Sequence, residues 1–265
     1  METPKTEPMV MGIVNATPDS FSDGARYPTP EAAVAHGLQQ FDQGASVVDV
    51  GGESTRPGAD PVPVGEELAR VVDVVAGLAP HGRVSIDTTK PEVARAAVAA
   101  GADILNDVSA SMHEVAAELN VTWIAVHRQG TPTTMQIAPQ YTDVVAEVGR
   151  FLSEAAERAL VAGVPEVWID PGIGFGKTTD HNLELLANLR QLTAEGTPVV
   201  VGASRKRFIG ELHSRSDGCS QEDVSTDDRL EGSLAAAAWA FSQGAAIVRA
   251  HDVAATVGAM KVVAA

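Results

Sequence analysis

Residues 84–106, VSIDTTKPEVARAAVAAGADILN, contain one complete strand–helix–strand unit. The apolar runs at 84–87 and 103–106 have the length and composition of strands that are buried on both faces. Between them, Pro91 stands where the first turn of a helix tolerates proline, and Gly101 follows as a C-terminal stop. Because a helix crosses back between the two strands, the unit predicts two parallel neighbours in one sheet.

The same unit repeats along the whole chain. Strands are predicted at 10–15, 46–51, 84–87, 103–106, 122–127, 167–170, 198–203 and 246–249. Helices are predicted at 30–43, 65–79, 91–100, 112–119, 141–162, 182–193, 227–243 and 253–263. Eight strand-then-helix units in about 250 residues are typical of an α/β fold, the (β/α)8 or TIM barrel. A doubly wound open sheet is the alternative.

The chain is predicted to form one domain, residues 1–265, because no linker-like shift in composition divides it. We expect residues 1–8 to be a flexible tail. The least regular internal segment, 212–227, is predicted to be a surface loop, and 16–29 a second one.

Composition and charge exclude several classes of protein. Hydrophobic residues make up 45% of the chain and charged residues 20%, but no apolar run approaches the roughly 18 residues of a membrane span. The 35 acidic and 19 basic residues give a net charge of −16, which disfavours nucleic acid as a partner. The N-terminus lacks a secretory signal pattern, so we expect a cytoplasmic protein. The single cysteine, Cys219, is interpreted as an incidental surface thiol.

Polar side chains stand at the predicted C-terminal ends of the strands, where a barrel of this kind builds its active site. Strand ends are often polar because they meet water. Contact with water does not by itself require an amide, a carboxylate or a base at the C-terminal end of every strand. These polar side chains together therefore predict a binding site. Its members are Asn15, Glu53, Ser54, Thr55, Arg56, Asp87, Asn106, Asp107, His127, Asp170, Ser204, Arg205, Lys206, Arg249 and His251.

Three of these residues suit a flat heterocycle. Asp87, Asn106 and Asp170 would bring two carboxylates and an amide from three strands into one pocket. A carboxylate that faces adjacent ring N–H and amino groups makes two parallel hydrogen bonds. The alternative for Asp87 is that it caps the helix that follows.

Basic residues near strands seven and eight suggest an anionic ligand such as a phosphate or diphosphate, because barrels of this kind often bind phosphate there. They are Arg205, Lys206, Arg207, Arg249 and His251. The alternative is a solvated cluster that pairs with nearby acids. Phe175, between two glycines, would either contact a ligand at the pocket mouth or pack in the core.

The strand-end segments closely resemble the dihydropteroate synthase family of (β/α)8 enzymes. The resemblance spans nearly the whole chain and implies that p-aminobenzoate displaces diphosphate from 6-hydroxymethyl-7,8-dihydropterin diphosphate, with Mg²⁺ on the leaving group. It also implies a homodimer formed through the last helices, including 235–239 and 257–263. The matching segments are NATPDSFSDG (15–24), DVGGESTRPG (49–58), SIDT (85–88), NDVS (106–109), GTPTTMQ (130–136), DPGIGFGK (170–177), SRK (204–206) and RAHD (249–252).

The resemblance assigns roles position by position. Catalysis would rest on Lys206, Arg249, His251 and Asn15, without a covalent nucleophile. The pterin ring would be held by Asp87, Asn106, Asp170, Lys206 and Val126. The diphosphate would be bound by Asn15, Arg249 and His251, with Asn15 also near Mg²⁺. The p-aminobenzoate would be surrounded by Thr55, Pro57, Phe175 and Ser204, with Arg56 on a mobile loop that closes.

Some positions depart from the family pattern. Ala16 and Ala25 replace a valine and a glycine, and the loop after Ser109 is shorter. Val126 stands where the family has a methionine in the pterin pocket, which would loosen binding without abolishing it. A catalytically silent pterin-binding paralogue therefore remains the alternative. A pterin-dependent methyltransferase is disfavoured by Lys206 and Arg249, because a folate methyl donor carries no diphosphate.

Overall fold

The computed structural model describes residues 9–16, 29–54, 58–131, 133–220 and 224–265. Strands and helices alternate along this part of the chain. The strands are β1 (Met9–Asn15), β2 (Val47–Gly51), β3 (Arg83–Asp87), β4 (Ile104–Asp107), β5 (Thr122–Val126), β6 (Val167–Asp170), β7 (Val200–Val201) and β8 (Ile247–Ala250). The helices are α1 (Pro30–Asp42), α2 (Val64–Leu78), α3 (Pro91–Ala99), α4 (His113–Leu119), α5 (Val144–Ala162), α6 (Thr179–Ala187), α7 (Leu189–Thr193), α8 (Arg207–Asp217), α9 (Leu230–Ser242) and α10 (Val253–Ala264).

The eight strands form one parallel sheet that closes into a barrel. Their order is β6-β5-β4-β3-β2-β1-β8-β7, so β1 pairs with both β2 and β8. A parallel bridge between Ile169 and Val199 joins the two outer strands, and the Ile169 N–H donates to Pro198 O at 3.0 Å. The prediction of a (β/α)8 barrel is confirmed, and the open doubly wound sheet is wrong.

Each strand packs on two sides, which explains its continuous apolar run. Alternate residues point outward to a large core between the sheet and the helices, where Trp123 is fully buried. The remaining apolar residues fill the barrel interior and exclude water below the site. They are Met11, Val47, Ile104, Ile124, Val126, Trp168, Val200 and Ile247.

Two helical segments differ from the sequence prediction. Residues 212–217, predicted as part of a surface loop, belong to α8. This helix buries the adjacent residues Phe208, Ile209 and Gly210, so its sequence lacks a clear spacing of three and four apolar residues. The single helix predicted at 182–193 is divided at Asn188 into α6 and α7. The predicted tail 1–8 and nearly all of the predicted loop 16–29 lie outside the described residues.

Across the described residues, none of the helices combines the length and the apolar character that a bilayer crossing requires.

Candidate active site

Four of the predicted residues form a layer two residues deep on the inner face of the barrel. Asp87 pairs with Asn106 across β3 and β4, and Val126 pairs with Asp170 across β5 and β6. All four are buried, with between 3% and 8% of their surface exposed. Asn106 pairs with Ile124 on β5, so the second pair stands two residues further along the strands than the first. Both pairs lie near the C-terminal ends of the strands, where the two acids, the amide and the valine face the barrel interior.

A cavity of about 950 Å³ opens at this end of the barrel. It does not reach Asn106, Val126 or Asp170, which are buried in the same layer. Thr55, Arg56 and Pro57 lie outside the described residues, so their predicted contact with p-aminobenzoate stays a prediction. The predicted site residues that line the cavity are Asn15, Glu53, Ser54, Asp87, Phe175, Ser204, Arg205, Lys206, Arg207, Arg249 and His251.

Arg249 is held between two carboxylates. Its Nε and Nη2 atoms both lie 2.7 Å from Asp49 Oδ2, and Nη2 donates to Asp87 Oδ2 at 3.2 Å. Asp49 Oδ2 also accepts a hydrogen bond from Asn106 Nδ2 at 3.0 Å. Asp49 therefore fixes both the guanidinium and the amide.

Sequence reasoning missed this role of Asp49. Its one local signal is an acid in the middle of the otherwise apolar run of β2. Its partner Arg249 is 200 residues further along the chain.

Asp87 has the electrostatics of a ligand-binding acid. Burial, and then repulsion from Asp49, raise its pKa to about 7, while Arg249 opposes the rise. Its Oδ1 atom is buried and has no hydrogen-bond partner among the described residues. The alternative role of a helix cap is wrong, because the N-cap residue of α3 is Lys90 and no side chain caps the helix.

Asp170 begins the glycine-rich turn after β6. Its Oδ1 atom accepts a hydrogen bond from the Gly172 N–H at 2.7 Å. Burial raises its pKa, and the Gly172 hydrogen bond followed by the charges on Lys206 and Arg249 opposes that effect. The effect of burial on the pKa of Asp170 is thus partly offset.

Phe175 and Lys206 form one wall of the cavity. Lys206 Nζ lies 4.0 Å from the centroid of the Phe175 ring, a cation–π contact. Of the two readings of Phe175, contact with a ligand at the pocket mouth therefore fits better than burial in the core, since the ring lines the cavity. The ammonium group of Lys206 therefore lies against the face of the Phe175 ring.

Ser204 orients His251 through two contacts. Its Oγ atom accepts from the His251 N–H at 3.2 Å and lies 3.1 Å from His251 Nδ1. Arg205, by contrast, makes a two-pronged ion pair with Asp252 at 2.7 and 3.0 Å. Pairing with nearby acids therefore holds for both Arg205 and Arg249, and both arginines line the cavity together with Lys206.

The class of protein follows from a family comparison. The sequence model of the family described as "Pterin binding enzyme" matches residues 11–251. The chain therefore belongs to the pterin binding enzymes. Dihydropteroate synthase from Escherichia coli strain K12 is 46% identical over 266 residues, which cover 97% of this chain and 91% of that protein.

Solved structures agree with this assignment. Xanthomonas albilineans dihydropteroate synthase with 4-aminobenzoic acid has a TM-score of 0.87 and 50% identity, covering 97% of this chain and 92% of that one. The same enzyme in complex with 7,8-dihydropteroate has a TM-score of 0.83 and 47% identity, covering 98% and 94%. Within its class, the chain is a member of the dihydropteroate synthase family.

Proposed function

We propose that this chain is an active dihydropteroate synthase, which joins p-aminobenzoate to 6-hydroxymethyl-7,8-dihydropterin diphosphate and releases diphosphate. The observation that carries the proposal is the layer of Asp87, Asn106 and Asp170 beside a cavity lined by Lys206 and Arg249. The similar Xanthomonas albilineans enzyme has been solved with 4-aminobenzoic acid and with 7,8-dihydropteroate. This match favours the synthase over a silent paralogue.

The pterin would bind edge-on to the acids. The unpaired Oδ1 of Asp87 and the carboxylate of Asp170 are acceptors for the ring N–H and amino groups. A ligand without these donors would leave a buried charge without compensation, so the layer selects for the heterocycle. Val126 would supply an apolar wall, and Lys206 would donate to a ring acceptor.

The diphosphate would leave toward Arg249, His251 and Asn15. The guanidinium of Arg249 uses Nε and Nη2 for the two carboxylates, so within the described residues its Nη1 is the group that would donate to phosphate oxygens. As the bond between the pterin methylene carbon and the diphosphate oxygen breaks, negative charge grows on that oxygen, and fixed cations stabilise it. The amine nitrogen forms the new bond to carbon and then releases its proton to water.

Mg²⁺ fits this site as an ion bound mainly by its substrate. Asn15 at the end of β1 lines the cavity, and an amide oxygen is a ligand type that Mg²⁺ accepts. In the described part of the chain, no three His, Cys, Asp or Glu side chains converge as a metal site. Mg²⁺ commonly takes one or two protein ligands and otherwise phosphate oxygens and water. When bound beside Asn15, it would neutralise charge on the diphosphate.

The p-aminobenzoate site would lie next to Phe175 and Ser204, with Thr55, Arg56 and Pro57 on its other side. An aromatic amine can stack on the Phe175 ring while its carboxylate stays near solvent. A neutral aromatic amine can attack without a strong general base, so the proposed mechanism assigns that role to no residue.

The first test is a diphosphate-release assay with purified protein, the pterin diphosphate, p-aminobenzoate and Mg²⁺. We expect release that requires p-aminobenzoate and falls about a hundredfold in Lys206→Ala, because a charge at the reacting centre is lost. Lys261→Ala, an exposed lysine on α10, is the matched control. Pterin binding without release would contradict the synthase and support the silent paralogue.

We also propose that the protein is a homodimer. Apolar side chains on the last helices face solvent in the single chain, with 48% of Trp239, 79% of Val262 and 42% of Val263 exposed. Apolar surface of this kind is typical of a subunit interface. The cytoplasmic location stays a prediction from the N-terminal sequence.

A further inference from the structure

Lys177 is a buried lysine that the proposed mechanism does not use. Only 2% of it is exposed. Its Nζ atom donates to Gly172 O and to Phe175 O, both at 3.1 Å, and lies 2.9 Å from His127 Nδ1. Among the described residues it makes no ion pair with a carboxylate, so these three neutral acceptors hold its charge.

The protonation states fit three donated hydrogen bonds. Burial, and then the charge on Lys177, lower the pKa of His127 to about 3, so its ring is neutral and Nδ1 can accept. Burial lowers the pKa of Lys177 to about 7, against the attraction of Asp170. The ammonium form has three N–H groups for its three acceptors.

The loop that Lys177 binds, residues 172–176, lies flat against the segment after β5. Gly172 has φ +65°, and a Cβ there would lie 1.8 Å from His127 O. Gly176 has φ +61°, and a Cβ there would lie 2.3 Å from Gln129 O. Glycine permits this close approach but brings no side chain to pack. The buried side chain of Ile173 anchors the middle of the loop, and hydrogen bonds to the loop carbonyls hold the glycines on either side of it.

Lys177 supplies two of those hydrogen bonds from inside the protein. Two others come from Gln136 Nε2 to Gly174 O at 2.8 Å and from Tyr141 Oη to Gly176 O at 2.9 Å. The Phe175 ring between them lines the cavity beneath Lys206. The buried amine thus bonds the backbone of the residue whose ring forms the cavity wall.

We propose that Lys177 is a positioning residue that fixes the 172–176 loop and thereby sets the affinity of the site for the aromatic amine. The inference rests on the proposed function, because it takes p-aminobenzoate as the ligand beside Phe175. Lys177 also lines the cavity, but its ammonium N–H groups are directed at Gly172 O, Phe175 O and His127 Nδ1 rather than at the substrate. Its substitution should therefore affect one substrate much more than the other.

The test is Lys177→Met, which keeps the length of the side chain and removes its N–H donors. We expect the KM for p-aminobenzoate to rise roughly tenfold, since two or three charge-assisted hydrogen bonds are lost. The Kd for the pterin diphosphate should rise less, by about threefold at most, because only Asp170 of the polar layer contacts the loop, whereas Asp87 and Asn106 lie on other strands. Lys261→Met, the same change at an exposed position, should alter neither constant.

Hydrogen exchange provides a readout that does not depend on activity. In Lys177→Met, the amides of 172–177 should exchange faster than in the parent chain, while those of β2 and β3 should not. This measurement tests the positioning role even if the parent chain releases no diphosphate. Unchanged exchange in the loop, or an equal loss of affinity for both substrates, would overturn the proposal.

A second variant tests the positioning role of Lys177 if Lys177→Met does not fold. His127→Leu removes one of the three acceptors of Lys177 and places an apolar side chain against Phe151. We expect a rise of roughly threefold in the KM for p-aminobenzoate with the pterin affinity unchanged. An unchanged KM in a folded His127→Leu chain would overturn the proposal.

Discussion

Asp87 should make pterin binding dependent on pH. Its pKa is raised from an ordinary 3.8 to about 7 by burial and by Asp49, so the unliganded site holds a proton below neutral pH. Ring N–H donors require the ionised acid, and binding then has to expel that proton. Affinity should be full above pH 7 and fall by up to about tenfold per unit below it. Titration with unphosphorylated 6-hydroxymethylpterin between pH 5.5 and 8 measures this slope.

Asp87→Asn is the variant that tests this assignment. It removes the titrating group, so the slope should become shallower, and the part that remains belongs to Asp170, whose pKa is also raised. At pH 8 the affinity should fall about tenfold or more, because a charged acceptor becomes a neutral amide. An identical slope in the variant and the parent chain would contradict the role of Asp87.

Single residues differ in how far sequence could predict them. Asp87 and Asp170 follow from their place at strand ends, since the fold brings all such ends together. Asp49 could not be assigned, because its partner Arg249 is defined only by the closed barrel. Lys177 has no sequence signal beyond a glycine-rich turn, since its three acceptors are an imidazole and two backbone carbonyls.

At the scale of one strand, two adjacent residues of β4 have different roles, one in the binding site and one in stability. Asn106 points into the barrel, where it donates to Asp49. Asp107 points outward and accepts from the N–H groups of Ser109, Ser111 and Met112 ahead of α4. The alternation of a strand thus gives two polar neighbours unrelated tasks.

Asp107→Ala should therefore destabilise the protein without changing the site. We expect a loss of about 3 kcal/mol in the free energy of unfolding, because several buried N–H groups lose their acceptor. Asn106→Ala should lose about 1 kcal/mol and bind the pterin about tenfold more weakly. Urea unfolding and pterin titration of both variants measure the contrast. Weaker pterin binding in Asp107→Ala with unchanged stability would contradict it.

Strands and helices could be predicted from the sequence where their apolar residues form a clear pattern. All eight strands were predicted within a few residues of their observed bounds, because each is a continuous buried run. The exception in extent is β7, which spans only Val200–Val201 where six residues were expected. The helix α8 was not predicted at all, because it packs through few apolar residues and its remaining surface is polar.

At the scale of the whole molecule, the exposed apolar end of α10 provides a test of the homodimer. Val262→Glu would place a charge in the proposed interface and should weaken association at least about tenfold. Val161→Glu, at a position 90% exposed on α5, is the matched control and should not change association. Light scattering across protein concentration gives the mass. A monomeric parent chain, or dissociation by the control variant, would contradict the dimer.

The barrel itself was predictable because its repeat is local: each unit needs only a strand, a helix and a turn. The ring of site residues then follows from topology, since parallel strands end on the same side. The internal contacts of that ring were not predictable, because they join residues from distant parts of the chain. Arg249 with Asp49 and Lys206 with Phe175 are such pairs.

The contact of Arg249 with Asp49 and Asp87 also has a consequence for biosynthesis. Both acids are made early, while Lys206 and Arg249, the cations that offset the charge of Asp87, come from the last quarter of the chain. A nascent chain on the ribosome would therefore carry two mutually repelling carboxylates without Lys206 until β7 has passed, and without Arg249 until β8 emerges. Competence for the substrate arrives with the final strand, so an unfinished chain would not sequester the pterin.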